Sequence, residues 1–223
     1  MKWNNNTGIN PSAMVKQSRG LLTVIVNRRT MPIRTATGLP PNIVENMKQT
    51  RRVKTITLLD IIEDTVVDGP GFRVSVYAAG CSHHCPGCHN PQSWNLRNGH
   101  PVPLDYIIAK ITNNPFSNVT FSGGDPLFQV EGFTRLAQRL KSTTSKNIWC
   151  YTGFRYEEII SSKRLSQILP YIDVLVDGRF DPTKRKEGLL FRGSSNQRLI
   201  NVPASLRSGK VILWEYNPYP QYV

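Results

Sequence analysis

Gly80-Cys81-Ser82-His83-His84-Cys85-Pro86-Gly87-Cys88-His89-Asn90 sets three cysteines in a C-x3-C-x2-C spacing. Three thiolates this close in sequence wrap one compact metal object from a single loop. They are too few and too close for a disulfide framework, which calls for an even set spread along the chain. Three ligands on a four-iron cluster leave one iron open to a substrate, whereas four close the metal off. The spacing therefore suggests a catalytic iron–sulfur cluster. On these eleven residues alone a Cys3His zinc site, completed by His83, His84 or His89, stands level with it. Three unpaired structural thiols do not usually crowd a Pro-Gly turn.

Working outward, Arg73–Ala79 reads as a strand that delivers the loop, and Asp68-Gly69-Pro70-Gly71 as the turn before it. Thr55–Ile62 is β-rich and reads as a first strand or an extension. Leu104, Ile107, Ile108 and Ile111 fall on one helical face, stopped by Pro115. Val119–Phe121 is a short strand running into Ser122-Gly123-Gly124-Asp125-Pro126. Val130, Phe133, Leu136, Ala137 and Leu140 mark the next helix. Asn147–Thr152 is a strand, Tyr156–Ile160 and Leu165–Leu169 are helical pieces before Pro170, and Ile172–Val176 is a strand ending at Asp177-Gly178. Leu189–Arg192, Leu199–Val202 and Val211–Tyr216 read as further strands.

Strands alternating with helices imply βαβ units and a parallel sheet. Five or six strands are too few to close an eight-stranded barrel. The expected fold is α/β: an open partial (β/α) barrel of about five to six mostly parallel strands, with the cluster-binding loop after the first.

The chain has 223 residues, 39% of them hydrophobic, and a formal net charge of +13. Residues 1–57 hold ten Lys or Arg against the single acid Glu45, so the charge says little about the main domain. Residues 1–52 are expected to be a basic, poorly ordered extension, 53–216 the catalytic domain, and 217–223 a loose tail. No apolar run approaches the roughly 18 residues of a membrane span, and none near the start reads as a secretory signal. Clustered thiols fit a reducing compartment, so a cytoplasmic protein is expected.

Each polar motif follows a strand: the cysteines the first, Ser122–Asp125 the second, Tyr151-Thr152-Gly153 the third, Asp177-Gly178 the fourth. In a parallel sheet such loops open on the same end and converge on one ligand. A structural zinc knuckle needs no Gly-Gly-Asp loop downstream.

The cysteine spacing with Ser122-Gly123-Gly124-Asp125 resembles the radical S-adenosylmethionine superfamily. Further motifs bring it closer. They are Val67-Asp68-Gly69-Pro70-Gly71, Cys85-Pro86-Gly87-Cys88 followed by Asn90 and Trp94, Ile148-Trp149, Tyr151-Thr152-Gly153, Val174–Phe180, and Phe191–Gln197. In this order, over about residues 58–203, they resemble the activating proteins of the anaerobic ribonucleoside-triphosphate reductase. The resemblance implies that Cys81, Cys85 and Cys88 hold a [4Fe–4S] cluster whose open iron binds S-adenosylmethionine. A one-electron donor such as reduced flavodoxin reduces the cluster, and the cofactor is split into methionine and a 5′-deoxyadenosyl radical. That radical takes a hydrogen atom from a glycine of the reductase large subunit. No membrane and no nucleic-acid partner is expected.

Single residues carry their own readings. Gly123 and Gly124 let the backbone approach a ligand and offer carbonyl acceptors, and Asp125 adds another for an ammonium-like group. Taken alone, the same residues are a turn opening a helix. Related activases hold a monovalent cation where Asp177 stands, helped by the position of Thr152; Asp177 is equally a strand-end turn residue. Arg192 and Ser194 are expected at the cofactor's carboxylate or ribose, or at the partner's glycine loop, against the alternative of a hydrogen-bonded loop. Cys150 reads as a buried small hydrophobe. Many superfamily members carry an aromatic residue before the third cysteine. Gly87 stands there, which leaves the adenine contact unassigned, with His89 as a substitute.

Two rival readings are an activase of another glycyl-radical enzyme, of the formate-lyase type, and a zinc-bearing nucleic-acid-binding module with a basic arm. The Arg192–Gln197 stretch and Cys85-Pro86-Gly87-Cys88 argue against the first. The Gly-Gly-Asp loop and the α/β order stay unexplained by the second.

Overall fold

The run of β-branched residues before the cysteines forms the centre of a sheet. A computed structural model describes residues 54–216; the basic extension expected over 1–52 and the loose tail expected over 217–223 fall outside the described residues. Strands β1 (Thr55–Thr65), β2 (Arg73–Ala78) and β3 (His100–Pro103) precede helix α1 (Leu104–Asn113). Then come β4 (Asn118–Gly123), α2 (Val130–Thr143), β5 (Ile148–Tyr151), α3 (Tyr156–Ser161), β6 (Val174–Asp177), β7 (Arg198–Asn201) and α4 (Val202–Ser208).

The strands make one sheet in the order β3-β1-β2-β4-β5-β6-β7. The pairs β2–β4, β4–β5 and β5–β6 are parallel. The pairs β1–β2, β1–β3 and β6–β7 are antiparallel. The sheet is therefore wider than expected and mixed rather than mostly parallel. The reason lies in the connections. A parallel pair needs a crossover of a dozen or more residues, usually helical. The short 66–72 link between β1 and β2 permits only an antiparallel return. The β6–β7 link contains just a short 3₁₀ turn at Pro182–Lys184.

The outer face carries the larger core. Helix α2 buries Val130, Phe133, Leu136, Ala137 and Leu140 as one stripe, facing Phe121 at 5.1 Å between the Phe121 and Phe133 rings. Burying each such Leu or Phe contributes about 1.5–3 kcal/mol, which outweighs the weak propensity of Thr134 and Gly132 within that helix. Helix α3 is too short to stand alone. Buried Tyr156 and Ile159 hold it, and the Glu158 carboxylate accepts the Arg155 N–H at 2.6 Å.

Strand alternation sends other residues to the opposite face. There Trp149, Val174 and Val176 pack with Tyr151, Phe191, Leu199 and Trp214. Arg73 is buried on this side and forms no ion pair with a carboxylate among the described residues. Its guanidinium donates to Thr120 Oγ1 at 2.6 Å and to the carbonyls of Val119 and Pro70 at 2.6 and 3.2 Å. It also lies 5.3 Å from the centre of the Trp149 ring. Burial pushes its pKa down to about 10, so it stays charged at neutral pH. It ties the 66–72 link to the sheet.

Three local expectations are corrected. Leu189–Arg192 is an irregular turn, where Phe191 takes a left-handed φ of 55°. Val211–Tyr216 makes one isolated bridge, Ile200 to Leu213, in place of a strand. Val202 opens α4 rather than closing β7: the Asn201 side chain caps the helix by accepting from the Ala204 N–H at 3.1 Å, and Gly209 ends it.

Candidate functional site

The cysteine loop leaves the carboxyl end of β2 and is closed at its stem. Gly80 N–H donates to Ser93 O at 2.8 Å and Cys81 N–H to Trp94 O at 3.1 Å. Inside, Cys88 N–H donates to Cys85 O at 3.1 Å, turning the chain through Pro86 and Gly87. Cys81, Cys85 and Cys88 are free and half-buried, and all three line one cavity of about 550 Å³. That volume lies within the usual range for a small-molecule cofactor site. Burial pushes the Cys81 thiol up, against the backbone N–H groups of His83 and His84, which favour the thiolate.

The donor set fits a polynuclear cluster. A single zinc ion needs donors about 2.0–2.3 Å from one point. Among the described residues, no group of three or more His, Cys, Asp and Glu closes on one ion. His83 bonds Asp125 through Nε2, His84 packs against Trp94, and His89 packs against Phe180. Three thiols set around a cavity suit a cluster that offers each sulfur its own iron.

The loop after β4 meets the cysteine loop through backbone. Gly124 N–H donates to Ala78 O at 2.7 Å, and Asp125 N–H to Gly80 O at 2.9 Å. A Cβ on Gly124 would lie 2.5 Å from Gly80 O and 2.8 Å from Ser93 O. One on Gly123 would lie 2.4 Å from Ala78 N. The glycine pair therefore serves close approach of chain to chain, while both residues still line the cavity.

Asp125 is placed differently from expectation. It is buried, and both carboxylate oxygens are taken by this chain. One accepts from His83 Nε2 at 2.8 Å, Thr152 Oγ1 at 2.9 Å and Gly153 N–H at 3.1 Å. The other accepts from Leu127 N–H at 2.8 Å. A carboxylate only accepts, so His83 Nε2 is the donor of that pair. Asp125 thus clamps the cysteine loop to the loops after β4 and β5. Thr152 lines the cavity, but its hydroxyl proton goes to Asp125.

Asp177, at the end of β6, lies outside the large cavity. It lines a smaller one, about 300 Å³, with Arg155, Glu158, Arg179 and Lys184. Its carboxylate accepts from the Tyr156 N–H at 2.8 Å and from Arg198 Nε at 3.0 Å, with a second bond to Arg198 Nη2. Arg198 also forks onto Glu157 at 2.9 and 2.8 Å. Asp177 is thereby neutralised by a guanidinium, a partner sequence reading did not foresee, and Thr152 does not touch it.

Arg198 holds the Glu157 carboxyl down to about 2, from an ordinary 4.5. The folded value lies below the unfolded one. The contact therefore stabilises the fold above about pH 4.5 and is lost as pH falls toward 2. Glu157 is largely exposed, so screening limits the effect to about 1 kcal/mol or less. Glu157→Gln should be less stable than the parent at neutral pH by that margin, and urea titrations should show the difference closing by about pH 2. A difference constant with pH would contradict it.

Arg192 and Ser194 do not line the cavity. Arg192 Nη1 donates to Gln197 O at 3.0 Å, and Ser194 Oγ accepts from the Asp181 N–H at 3.1 Å. Two neighbours, Gly193 and Gln197, do reach it. The Gln197 Oε1 accepts from the N–H groups of Gly193 and Ser194 at 2.8 and 3.2 Å, and its Nε2 donates to Gly178 O at 2.9 Å. Tyr77, Asp68, Trp94, Tyr151 and Phe180 complete much of the lining. Tyr77 donates its hydroxyl to Asp68, and burial together with that carboxylate pushes its pKa up. The alternation Arg73-Ser75-Tyr77 along β2 was the signal that could have placed Tyr77 on the cavity side. Cys150 is fully buried away from the cavity, and burial raises its thiol well above the ordinary value.

The sequence of this chain is similar to those of known proteins. The family described as a 4Fe-4S single cluster domain matches residues 67–200. An anaerobic ribonucleoside-triphosphate reductase-activating protein of Vibrio cholerae is 39% identical over 140 residues, covering 59% of this chain and 89% of the relative. The protein of that name from Escherichia coli K12 is 36% identical over 140 residues, 59% and 90% of the two chains. That of Enterobacteria phage T4 is 37% identical over 142 residues, 60% and 86%.

Proposed function

Because this chain belongs to the family of anaerobic ribonucleoside-triphosphate reductase-activating proteins, we propose that it installs a glycyl radical on the large subunit of such a reductase. The observation that carries the reading is the convergence of three free thiols with the Ser122–Gly124 and Thr152-Gly153 loops on one cavity. Cys81, Cys85 and Cys88 hold a [4Fe–4S] cluster, and S-adenosylmethionine occupies the cavity. With both groups held there, the site would supply one-electron reductive cleavage of the cofactor's sulfonium S–C bond, the electron coming from an external donor, and transfer of a hydrogen atom from the partner's glycine to the adenosyl fragment.

This chain's residues hold and shield. The Gly123 and Gly124 carbonyls accept from the amino end of the cofactor. Asp125 fixes the cysteine loop through His83 and the β5 loop through Thr152 and Gly153. Tyr77, Tyr151 and Trp94 wall the cavity against water. The parallel β2-β4-β5-β6 run is the arc of an open partial barrel whose carboxyl end carries the site. A one-electron donor such as reduced flavodoxin serves it, in the cytoplasm; among the described residues no helix is long and apolar enough to cross a membrane.

The test is electron paramagnetic resonance. The reconstituted protein, mixed anaerobically with reductase, S-adenosylmethionine and reductant, should give the doublet of a glycyl radical on the reductase. Cofactor cleavage with no radical on the reductase, and a radical on a formate-lyase-type enzyme instead, would overturn the choice of partner.

A further inference from the structure

Among the cavity's aromatic side chains, Phe180 stands on neither of the strands that carry Tyr77 and Tyr151. It follows β6 by three residues, is half-buried, and lines the cavity beside Cys88 and His89. Its ring centre lies 5.0 Å from that of His89, tilted by 47°. A Cβ on Gly193 would come within 2.9 Å of its Cδ2, and one on Gly87 within 3.5 Å of its Cε1. The ring thus lies between the cysteine loop and the Arg192–Gln197 loop. A side chain at Gly193 would push the ring out of place.

The other rings in the lining carry polar atoms. Tyr77 donates its hydroxyl to Asp68, and Tyr151 donates to Phe191 O at 2.8 Å. Trp94 packs edge-on against His84. Phe180 has no polar atom to satisfy, so what it offers the cavity is an apolar, flat ring.

We infer that Phe180 is the surface on which the adenine of the bound cofactor stacks, an inference that rests on the functional reading above. An adenosyl sulfonium has two unlike ends. The amino-acid end is ionic and belongs with the cluster and the backbone carbonyls of Gly123 and Gly124. The purine end needs an aromatic or apolar platform. Phe180 lines the same cavity as the third cysteine and the β1 residues Leu59 and Ile62. It supplies from the β6–β7 link the ring that Gly87 lacks.

The experiment measures ligand affinity on the anaerobically reconstituted protein by equilibrium dialysis. Three probes are used: S-adenosylmethionine, S-adenosylhomocysteine and methionine alone. Removing an aromatic platform under a base weakens binding on the order of ten- to a hundredfold. Phe180→Ala should show that loss for both adenosyl ligands, with methionine affinity and iron content unchanged. Phe180→Leu keeps an apolar side chain between the two loops and removes the π face, so it should hold its iron and lose part of the adenosyl affinity. Phe180→Tyr should match the parent. The inference is overturned if Phe180→Leu binds adenosyl ligands as tightly as the parent, or if methionine affinity falls in step with them. A parent protein that takes up iron yet binds no adenosyl ligand overturns the functional reading, and the stacking role with it.

Discussion

Replacing Cys85 with alanine should reduce bound iron and sulfide to background and abolish cofactor cleavage, while the fold survives. Cys85 contributes its carbonyl to the loop turn, through the Cys88 N–H, and that bond needs no side chain. Its thiol is half-buried and has no other duty in the chain. The loss should exceed a hundredfold, beyond the roughly 10–100-fold that outer partners of a metal site cost. Cys150→Ala is the matched control. That thiol is fully buried on the core side of β5, so its removal should lower stability by about 1 kcal/mol and leave iron content intact. Iron binding that survives Cys85→Ala but not Cys150→Ala would reverse the assignment.

Asp125→Ala should be the most destabilising exchange near the site. One buried carboxylate accepts four bonds, from His83, Thr152, Gly153 and Leu127. Its removal leaves four donors from separate loops without a partner. Taking one member from a buried charged network costs about 3–5 kcal/mol. For a domain of this size that is a fall in Tm of roughly 6–20 °C. Hydrogen exchange should quicken through residues 80–90, where the loop loses its clamp. Asp125→Asn keeps one acceptor oxygen but turns the other position into a donor that faces donors, so it should recover only part of the stability. If Asp125→Ala keeps the parent's Tm and loses only cofactor affinity, the carboxylate serves the ligand directly rather than the loops.

Asp125 also marks where reading the sequence stops. Its position after a strand and two glycines was legible, and so was the convergence of the cysteine, Gly-Gly and Thr152 loops, because parallel strands send their carboxyl ends to one side. Which donors would claim a buried carboxylate was not. His83 lies 42 residues away in sequence, and its packing depends on the whole loop assembly. The same holds for Asp177, whose partner Arg198 sits on the neighbouring antiparallel strand. The pairing followed only once the β6–β7 link was known to return without a helix. Helix α2 was legible from its buried stripe. Helix α4 was missed, although the Asn201 cap, Pro203 and Gly209 are its ordinary start and stop signals. The apolar run into Val202 favoured a longer strand there. Phe180 was legible only as the end of the Val174–Phe180 motif, since what a phenylalanine in a link packs against depends on how the distant loops meet.

The central claim is that the cavity behind Cys81, Cys85 and Cys88 carries out reductive cleavage of S-adenosylmethionine. The most direct measurement is anaerobic reconstitution with iron and sulfide, reduction with dithionite, addition of S-adenosylmethionine, and assay of 5′-deoxyadenosine alongside iron content. A brown protein that releases 5′-deoxyadenosine, with none from Cys85→Ala, is the result expected. A colourless protein that holds one tight zinc ion and releases no 5′-deoxyadenosine would contradict it.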